Sequence, residues 1–219
     1  MQLFSVSYVP PEWKHAIITP VFKNGLASST ANYRPISLTC VTSKISERII
    51  SNQMFSYFLA NGLINKAQHG FLKGLSTATN LLQCVNDRSL SIQNYRGITV
   101  VHIDLAKAFD TVSHEKYRLK YSGIDGNLLS WLRNFLVGRT HCTHVGNCMS
   151  DTCDLRSDVI QGSTIGPLLF ISFINELADL LGPMFVTSKL FADDLKVYAE
   201  VLTTVDRDCM MKLFAEILY

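Results

Sequence analysis

The chain has 219 residues, 47% of them apolar and 17% charged, which is the composition of a folded globular protein with one substantial domain or two small ones and not of a disordered polymer. Its formal net charge of +2 is too small to name a partner. The charge is unevenly placed, however: residues 1–75 hold seven Lys/Arg (Lys14, Lys23, Arg34, Lys44, Arg48, Lys66, Lys73) against Glu12 and Glu47, and the remaining residues carry a net −3. A basic front and an acidic rear suit a protein that grips phosphates with one part and metal ions with the other, although scattered surface charge gives the same count.

In chain order, "WKHAIITPVFK" (13–23) reads as a strand, followed by the polar loop "NGLASSTANY" and an extended "RPISLT". Pro35 drives Arg34 away from helical angles, which fits a loop-to-strand transition. "VTSKISERIISNQMFSYFLANG" spaces Ile45, Ile49, Phe55, Phe58 and Leu59 near the helical period and stops at Asn61-Gly62. "STATNLLQCVNDRSLSIQNY" predicts a second helix with Leu81, Leu82, Val85 and Leu90 on its apolar side. In "GITVVHIDLAKAFD" (97–110), Ile98, Val100, Val101 and Ile103 are apolar on both faces, so a buried strand in a sheet's interior is expected, ending at Asp104. A helix to about Leu136 follows, then an extended stretch (140–160), then an apolar helix (164–181) closed by Gly182-Pro183. "FVTSKLF" and "LKVYAEV" complete the pattern as two short strands of a hairpin, with Ala192-Asp193-Asp194 between them. Trp13 and Trp131 read as core anchors.

Six cysteines are present without a C-x-x-C pair, and "HCTHVGNCMSDTC" (141–153) spaces its thiols unlike the usual zinc patterns. The N-terminus lacks a basic segment followed by an apolar core, so an intracellular, unsecreted protein with reduced thiols is expected. Asn175, Glu176 and Asp179 interrupt the longest apolar run, which therefore reads as a core helix and not a membrane span.

Chemistry concentrates at the hairpin. Consecutive residues of a continuous strand point to opposite faces, whereas at a tight turn Asp193 and Asp194 can project from one sheet edge. Asp104 stands at a strand end 89 residues earlier. Three carboxylates converging at one edge require divalent cations, and oxygen-only ligands select Mg²⁺ or Mn²⁺. Two such ions about 3.5–4 Å apart serve in-line phosphoryl or nucleotidyl transfer. Solvated turn acids at 193 and 194, with a strand-end or capping acid at 104, are the plainer alternative.

The blocks "VPPEWKHAIITPVFK", "YRPISLT", "KISERII", "QHGFLKGLST", "DLAKAFDTVSH", "GIDGNLLSWLRNFLVGR", "QGSTIGPLLF" and "FADDLKVY" run in order through residues 9 to 200. In these the chain resembles the reverse transcriptase domain of non-LTR (LINE-like, jockey-type) retrotransposons. The resemblance implies an α+β fold: a polymerase palm of antiparallel sheet backed by helices, with an N-terminal fingers subdomain. Residues 1–96 correspond to the fingers part and 97–219 to the palm part. It implies an RNA-directed DNA polymerase working on an RNA template, a DNA primer and deoxynucleoside triphosphates, with two Mg²⁺ ions (Mn²⁺ as a substitute) and no membrane, in the nucleus or cytoplasm. By position, Asp104, Asp193 and Asp194 correspond to the catalytic metal ligands, and Phe109 to the residue that excludes a ribose 2′-hydroxyl. Arg34 and Lys23 correspond to the basic residues holding the triphosphate, for which a planar five-donor guanidinium is suited. Gln161 and Gly162 match a turn lying against nucleotide and template. Gly70 and Phe71 match a block near the template path, with a turn glycine and a core aromatic as the plainer reading. His114 recurs in the family but reads as structural.

This copy also departs from the family pattern. Asp158 and Ile160 replace a usual Gly and Pro, and "HEKYRLKYSGI" is about two residues short, a helix rotation of about 200°. The pattern of a thumb is missing after residue 219 and no endonuclease domain precedes the first block, so the expectation is a truncated copy. Two functions follow: the polymerase domain, or a catalytically inactive remnant that at most binds nucleic acid.

Overall fold

The structure, a computed structural model, describes residues 7–105, 123–155, 160–181, 186–201, 203, 206–208, 211, 212 and 215. In chain order its principal elements are β1 (His15–Phe22), β2 (Tyr33–Thr39), α1 (Val41–Ala60), α2 (Thr77–Gln93), β3 (Gly97–Asp104), α3 (Gly126–Leu136), β4 (Arg139–Val145), β5 (Cys148–Met149), β6 (Cys153–Leu155), α4 (Gly166–Leu181), β7 (Thr187–Phe191) and β8 (Asp194–Val201). The chain divides into two compact units, Met1–Leu63 with Lys107–Phe173, and Ile64–Ala106 with Ile174–Tyr219.

The first unit contains a sheet in the order β2-β1-β4-β5, with β6 also pairing β4. β1 and β2 are antiparallel, setting Val21 opposite Arg34 and Pro20 opposite Pro35, while β1 and β4 are parallel. Its core includes Trp131, Leu132, Phe135 and Leu136 from α3. Trp131 stacks on Phe135 at 5.3 Å between ring centroids, as a core anchor should, whereas Trp13 is only half-buried. The buried Arg139 guanidinium lies 4.8 Å from the Phe135 ring centre and donates to the carbonyls of Phe135 and Trp13. Burial pulls its pKa down to about 10, and the negative charge of Glu47 opposes that shift.

The buried face of α1 differs from the expected one. Only Phe58 of the five apolar residues is buried; Ile45 and Ile49 are 58% and 61% exposed, and the inward positions are Ser43, Glu47, Ile50, Ser51, Met54 and Phe58. The helix faces inward where its polar groups find donors: Glu47 is 1% exposed and accepts from Ser43 Oγ (2.8 Å), Ser163 Oγ (2.5 Å) and the amides of Thr164 (2.7 Å) and Ile165 (3.4 Å). One carboxylate thus holds the two amides just ahead of α4, and the helix's first amide, that of Gly166, donates to Ser163 Oγ (3.2 Å).

The second unit is built on an antiparallel sheet in the order β3-β8-β7. The expectation of an interior strand at 97–104 is corrected here: β8 is central, with Leu195, Val197 and Tyr198 buried, and β3 lies at the end of the order with only Ile103 buried. β-Branched residues favour any strand, so their run could not tell an edge from the middle. α2 starts at a capping box, in which Ser76 Oγ accepts from the Thr79 amide and Thr79 Oγ1 from the Ser76 amide. Its inward residues are Asn80, Cys84 and Ser91, while Leu81, Leu82, Val85 and Leu90 are exposed. Polar bonding to the sheet sets this rotation. Asn80 donates to the Leu190 carbonyl (3.2 Å), Ser91 donates to Glu200 (2.7 Å) and Tyr198 donates to Asp87 (2.5 Å).

The expected fold class, α+β with an antiparallel sheet backed by helices, is the one found. Among the described residues no helix is long and apolar enough to cross a membrane. The turn at Gly182-Pro183 and the shortened segment 114–124, apart from Gly123 and Ile124, lie outside the described residues.

Candidate active site

The second unit brings the three aspartates to one sheet end. Asp104 is the last residue of β3 and Asp194 the first of β8, and the two are direct partners in the antiparallel register. Phe191 pairs with Asp194 on the other side, leaving Ala192 and Asp193 as the turn. Like charges opposite one another on an antiparallel pair are destabilising, so this arrangement works against the fold. The Asp193 carboxyl beside them is held above its ordinary pKa mainly by burial and further by Asp194 and Asp104, against an opposing hydrogen bond from its own backbone.

A carboxyl raised on folding favours the protonated native state, so its contribution to stability is largest in acid and is lost as pH rises through the raised value. Asp193→Asn is therefore expected to raise the melting temperature at pH 7 in metal-free buffer. Solvent at this half-exposed group screens the effect, so the gain is about 1–2 °C. Calorimetry at pH 7 and pH 3 checks it: the gain disappears at pH 3, and a variant less stable than the parent at pH 7 contradicts it.

The neighbouring lysines are engaged elsewhere, Lys189 with Gln83 and Lys196 with Asn80, and no ion pair between described residues involves the three aspartates. Hard carboxylate oxygens that no described cation offsets have the donor chemistry for Mg²⁺ or Mn²⁺. The side chains do not close on a point: among the described residues no group of three or more His, Cys, Asp and Glu is gathered to hold a metal. Like charges favour rotamers that diverge, while the backbone register keeps all three at one end of the sheet.

The turn itself is strained. Ala192 has φ +55°, a left-handed conformation that costs a non-glycine residue roughly 1–2 kcal/mol. The segment before α2 supports it. Leu190 and Gln68 form a parallel bridge, His69 N–H donates to the Leu190 carbonyl, and the Gln68 side-chain oxygen accepts from the amides of Gly70 and Ala192. A Cβ on Gly70 would lie 2.3 Å from the Ala192 nitrogen, so Gly70 permits a backbone-to-backbone approach. Phe71 is 47% exposed and is not a core aromatic.

The remaining candidates belong to the first unit. Arg34 faces Val21 across β1–β2, and Lys23 follows Val21 by two residues with its amide bonded to the Asn32 carbonyl. The strand period places Arg34 and Lys23 on one face of this hairpin, both exposed. Ser37, on the opposite face of β2, donates its amide to the Gln161 carbonyl at 2.7 Å. A Cβ on Gly162 would lie 2.5 Å from the Ser37 carbonyl oxygen, and Gly162 has φ +116°. Its missing side chain therefore makes room for the protein's own backbone. Gly162→Ala is expected to cost roughly 1–3 kcal/mol through strain alone, a fall in melting temperature of about 5 °C. An unchanged melting temperature would contradict this packing. Ile160 is buried, and its carbonyl accepts from the Ser163 amide. Phe109, His114 and Asp158 lie outside the described residues.

Two supporting residues have no role in the sequence reading. Glu47 stands out only as one of two acids in the basic front. Gln68 carries no periodic or compositional signal, because its bonds are to backbone far along the chain.

Residues 21–217 match the family described as reverse transcriptase (RNA-dependent DNA polymerase). The chain is 30% identical over 196 residues to the probable RNA-directed DNA polymerase from transposon X-element of Drosophila melanogaster, covering 88% of this chain and 22% of that protein. It is 29% identical over 177 residues to the RNA-directed DNA polymerase from mobile element jockey of the same organism, covering 80% and 19%. The chain thus spans about a fifth of these relatives' length. Among solved structures, apo telomerase from Candida tropicalis, truncated from its C-terminal domain, shares the fold with a TM-score of 0.67 at 12% identity, covering 97% of this chain and 48% of that one.

Proposed function

This chain belongs to the reverse transcriptase (RNA-dependent DNA polymerase) family, and from that membership we propose that it carries the catalytic part of a mobile-element RNA-directed DNA polymerase. The reaction is addition of deoxynucleotides to a primer 3′-hydroxyl, directed by an RNA template, inside the cell in nucleus or cytoplasm. The observation that supports this reading most directly is the register of β3 and β8, which sets Asp104 opposite Asp194 beside the Asp193 turn. The opposed acids themselves add nothing to the stability of that ladder, which rests on its apolar pairs such as Ile103 with Leu195.

Asp104, Asp193 and Asp194 would hold two Mg²⁺, with Mn²⁺ as a substitute. Bound there, such ions lower the pKa of an attacking hydroxyl and neutralise charge on the transferred phosphoryl group. Arg34, and Lys23 on the same hairpin face, hold the triphosphate; the guanidinium fork gives bidentate contacts to phosphate oxygens. Gln161 and Gly162 form the turn against nucleotide and template, a turn fixed through Ser37 on one side and Glu47 on the other. Residues 1–96 act as the fingers part and 97–219 as the palm part. The compact units interleave these ranges, so that division is one of role.

Phe109 is assigned to the sugar gate. Phe109→Val is expected to raise ribonucleotide incorporation relative to deoxynucleotide by roughly 10- to 100-fold, the range a pocket's shape commands. An unchanged ratio would remove Phe109 from this role.

The proposal is tested by Mg²⁺-dependent primer extension on an RNA template, with Asp193→Ala as the blank. Extension above the blank is expected from a protein that carries this domain within a complete polymerase. Extension equal to the blank would favour the inactive remnant, for which the departures at Asp158 and Ile160 are the sequence signs.

A further inference from the structure

We infer that Gln68 is a positioning residue for the Asp193 turn: its side-chain oxygen holds Ala192 in the left-handed conformation that presents Asp193 and Asp194 together. This rests on the assignment of Asp104, Asp193 and Asp194 as a divalent-cation site. Three observations within the second unit carry it.

The first is geometric. Gln68 is 2% exposed, and its Oε1 accepts from the Gly70 amide at 2.6 Å and from the Ala192 amide at 3.1 Å. Both partners are N–H donors, so the amide group can face them only with its oxygen. Its Nε2 is buried with no partner among the described residues, so the side chain is held in place by the oxygen alone. A glutamine kept in the interior on those terms has its acceptor as its use.

The second is conformational. Ala192 is 6% exposed and has φ +55°, a conformation that alanine avoids and that persists only where the surroundings impose it. The bond from its amide to Gln68 is one such constraint. The approach of Gly70, where a Cβ would meet the Ala192 nitrogen at 2.3 Å, is another.

The third is topological. Gln68 does not reach the turn by chance of rotamer, because its backbone is tied to β7 on both sides. Leu190 N–H donates to the Ala67 carbonyl at 2.8 Å, His69 N–H donates to the Leu190 carbonyl at 2.8 Å, and Asn80 Nδ2 donates to that same carbonyl at 3.2 Å. Residues 67–70 therefore run beside β7 on the side away from β8 and reach the turn. Gln68 and the Ala192 amide that it accepts from lie 124 positions apart in sequence.

The test uses Mn²⁺ as the probe, with its free ion counted by electron paramagnetic resonance, on the full chain. Gln68→Met keeps length and apolar volume while removing the acceptor. It is expected to weaken Mn²⁺ binding roughly 10- to 100-fold, as loss of a partner that orients a metal ligand does. Adding Ala192→Gly to Gln68→Met is expected to restore most of that affinity, since glycine adopts a positive φ without help. A general packing defect at residue 68 would not be repaired from residue 192. Unchanged affinity in Gln68→Met, or no recovery in the double variant, would overturn the inference. Amide hydrogen exchange in the unmodified chain tests the brace without any variant or metal. Slow exchange at Ala192 is expected, and exchange at the rate of an unbonded turn would overturn it. Failure of the unmodified chain to bind Mn²⁺ would instead sink the metal assignment, leaving the exchange result to decide on the brace.

Discussion

Replacing Asp193 with alanine is expected to cut primer extension by a factor on the order of a thousand in a polymerase that carries this domain, because several kcal/mol of charge stabilisation in phosphoryl transfer depends on the ligands of the ions. The loss should fall on kcat more than on KM for the deoxynucleotide, since a carboxylate in the proposed role would act where charge develops. Burial holds the Asp193 carboxyl above its ordinary pKa, and Asp194 and Asp104 add to that. Its removal should therefore leave the metal-free fold no less stable while removing the chemistry. Steady-state kinetics with thermal melting of the same variant measures both. A variant that melts well below the parent would trace the lost activity to folding and contradict this account of Asp193.

The second large effect is one of stability. Glu47→Ala is expected to destabilise the chain by about 3–5 kcal/mol, since it strips a buried carboxylate from four donors and leaves them unpaired in the interior. It also removes the negative charge that opposes the depression of the buried Arg139. At about 2–4 °C per kcal/mol for a chain of this size, the melting temperature should fall by roughly 10 °C. Glu47→Gln keeps one acceptor oxygen and should cost clearly less. A Glu47→Ala variant within about 2 °C of the parent would show that residues 163–165 hold their place without Glu47.

Much of the fold could be read from residue order. The alternation and turn composition of residues 185–201 marked a hairpin, and β7 and β8 form one with Asp193 in the turn. Strand or helix type agrees with the sequence reading at β1, β2, α1, α2, β3, α3, β4 and α4. The helix faces were misjudged for a common reason. Both α1 and α2 turn polar residues inward, Glu47 on one and Asn80 and Ser91 on the other, toward partners distant in sequence. Hydrophobic periodicity assumes that burial follows apolarity, and it fails where a buried polar group is fully bonded.

The candidate site was legible in its acids and illegible in their supports. Asp104 and Asp194 announce themselves by charge at strand ends and Asp193 by charge in the turn between β7 and β8. Gln68 and Gly70 act through backbone contacts to Ala192, and such contacts have no compositional signature. Gly162 matches a turn lying against nucleotide and template, yet the atom nearest its missing Cβ is the Ser37 carbonyl oxygen. That neighbour depends on pairing that only the folded chain reveals.

Everything proposed about function depends on Asp104, contributed by β3, acting with the hairpin's Asp193 and Asp194 on the same ion. Mn²⁺ titration of the full chain and of Asp104→Asn, Asp193→Asn and Asp194→Asn, read by electron paramagnetic resonance, measures this directly. One shared site predicts that the parent binds and that each substitution weakens binding, Asp104→Asn and Asp193→Asn by at least about tenfold. Binding by Asp104→Asn indistinguishable from the parent would separate the strand-end acid from the hairpin and contradict the shared site.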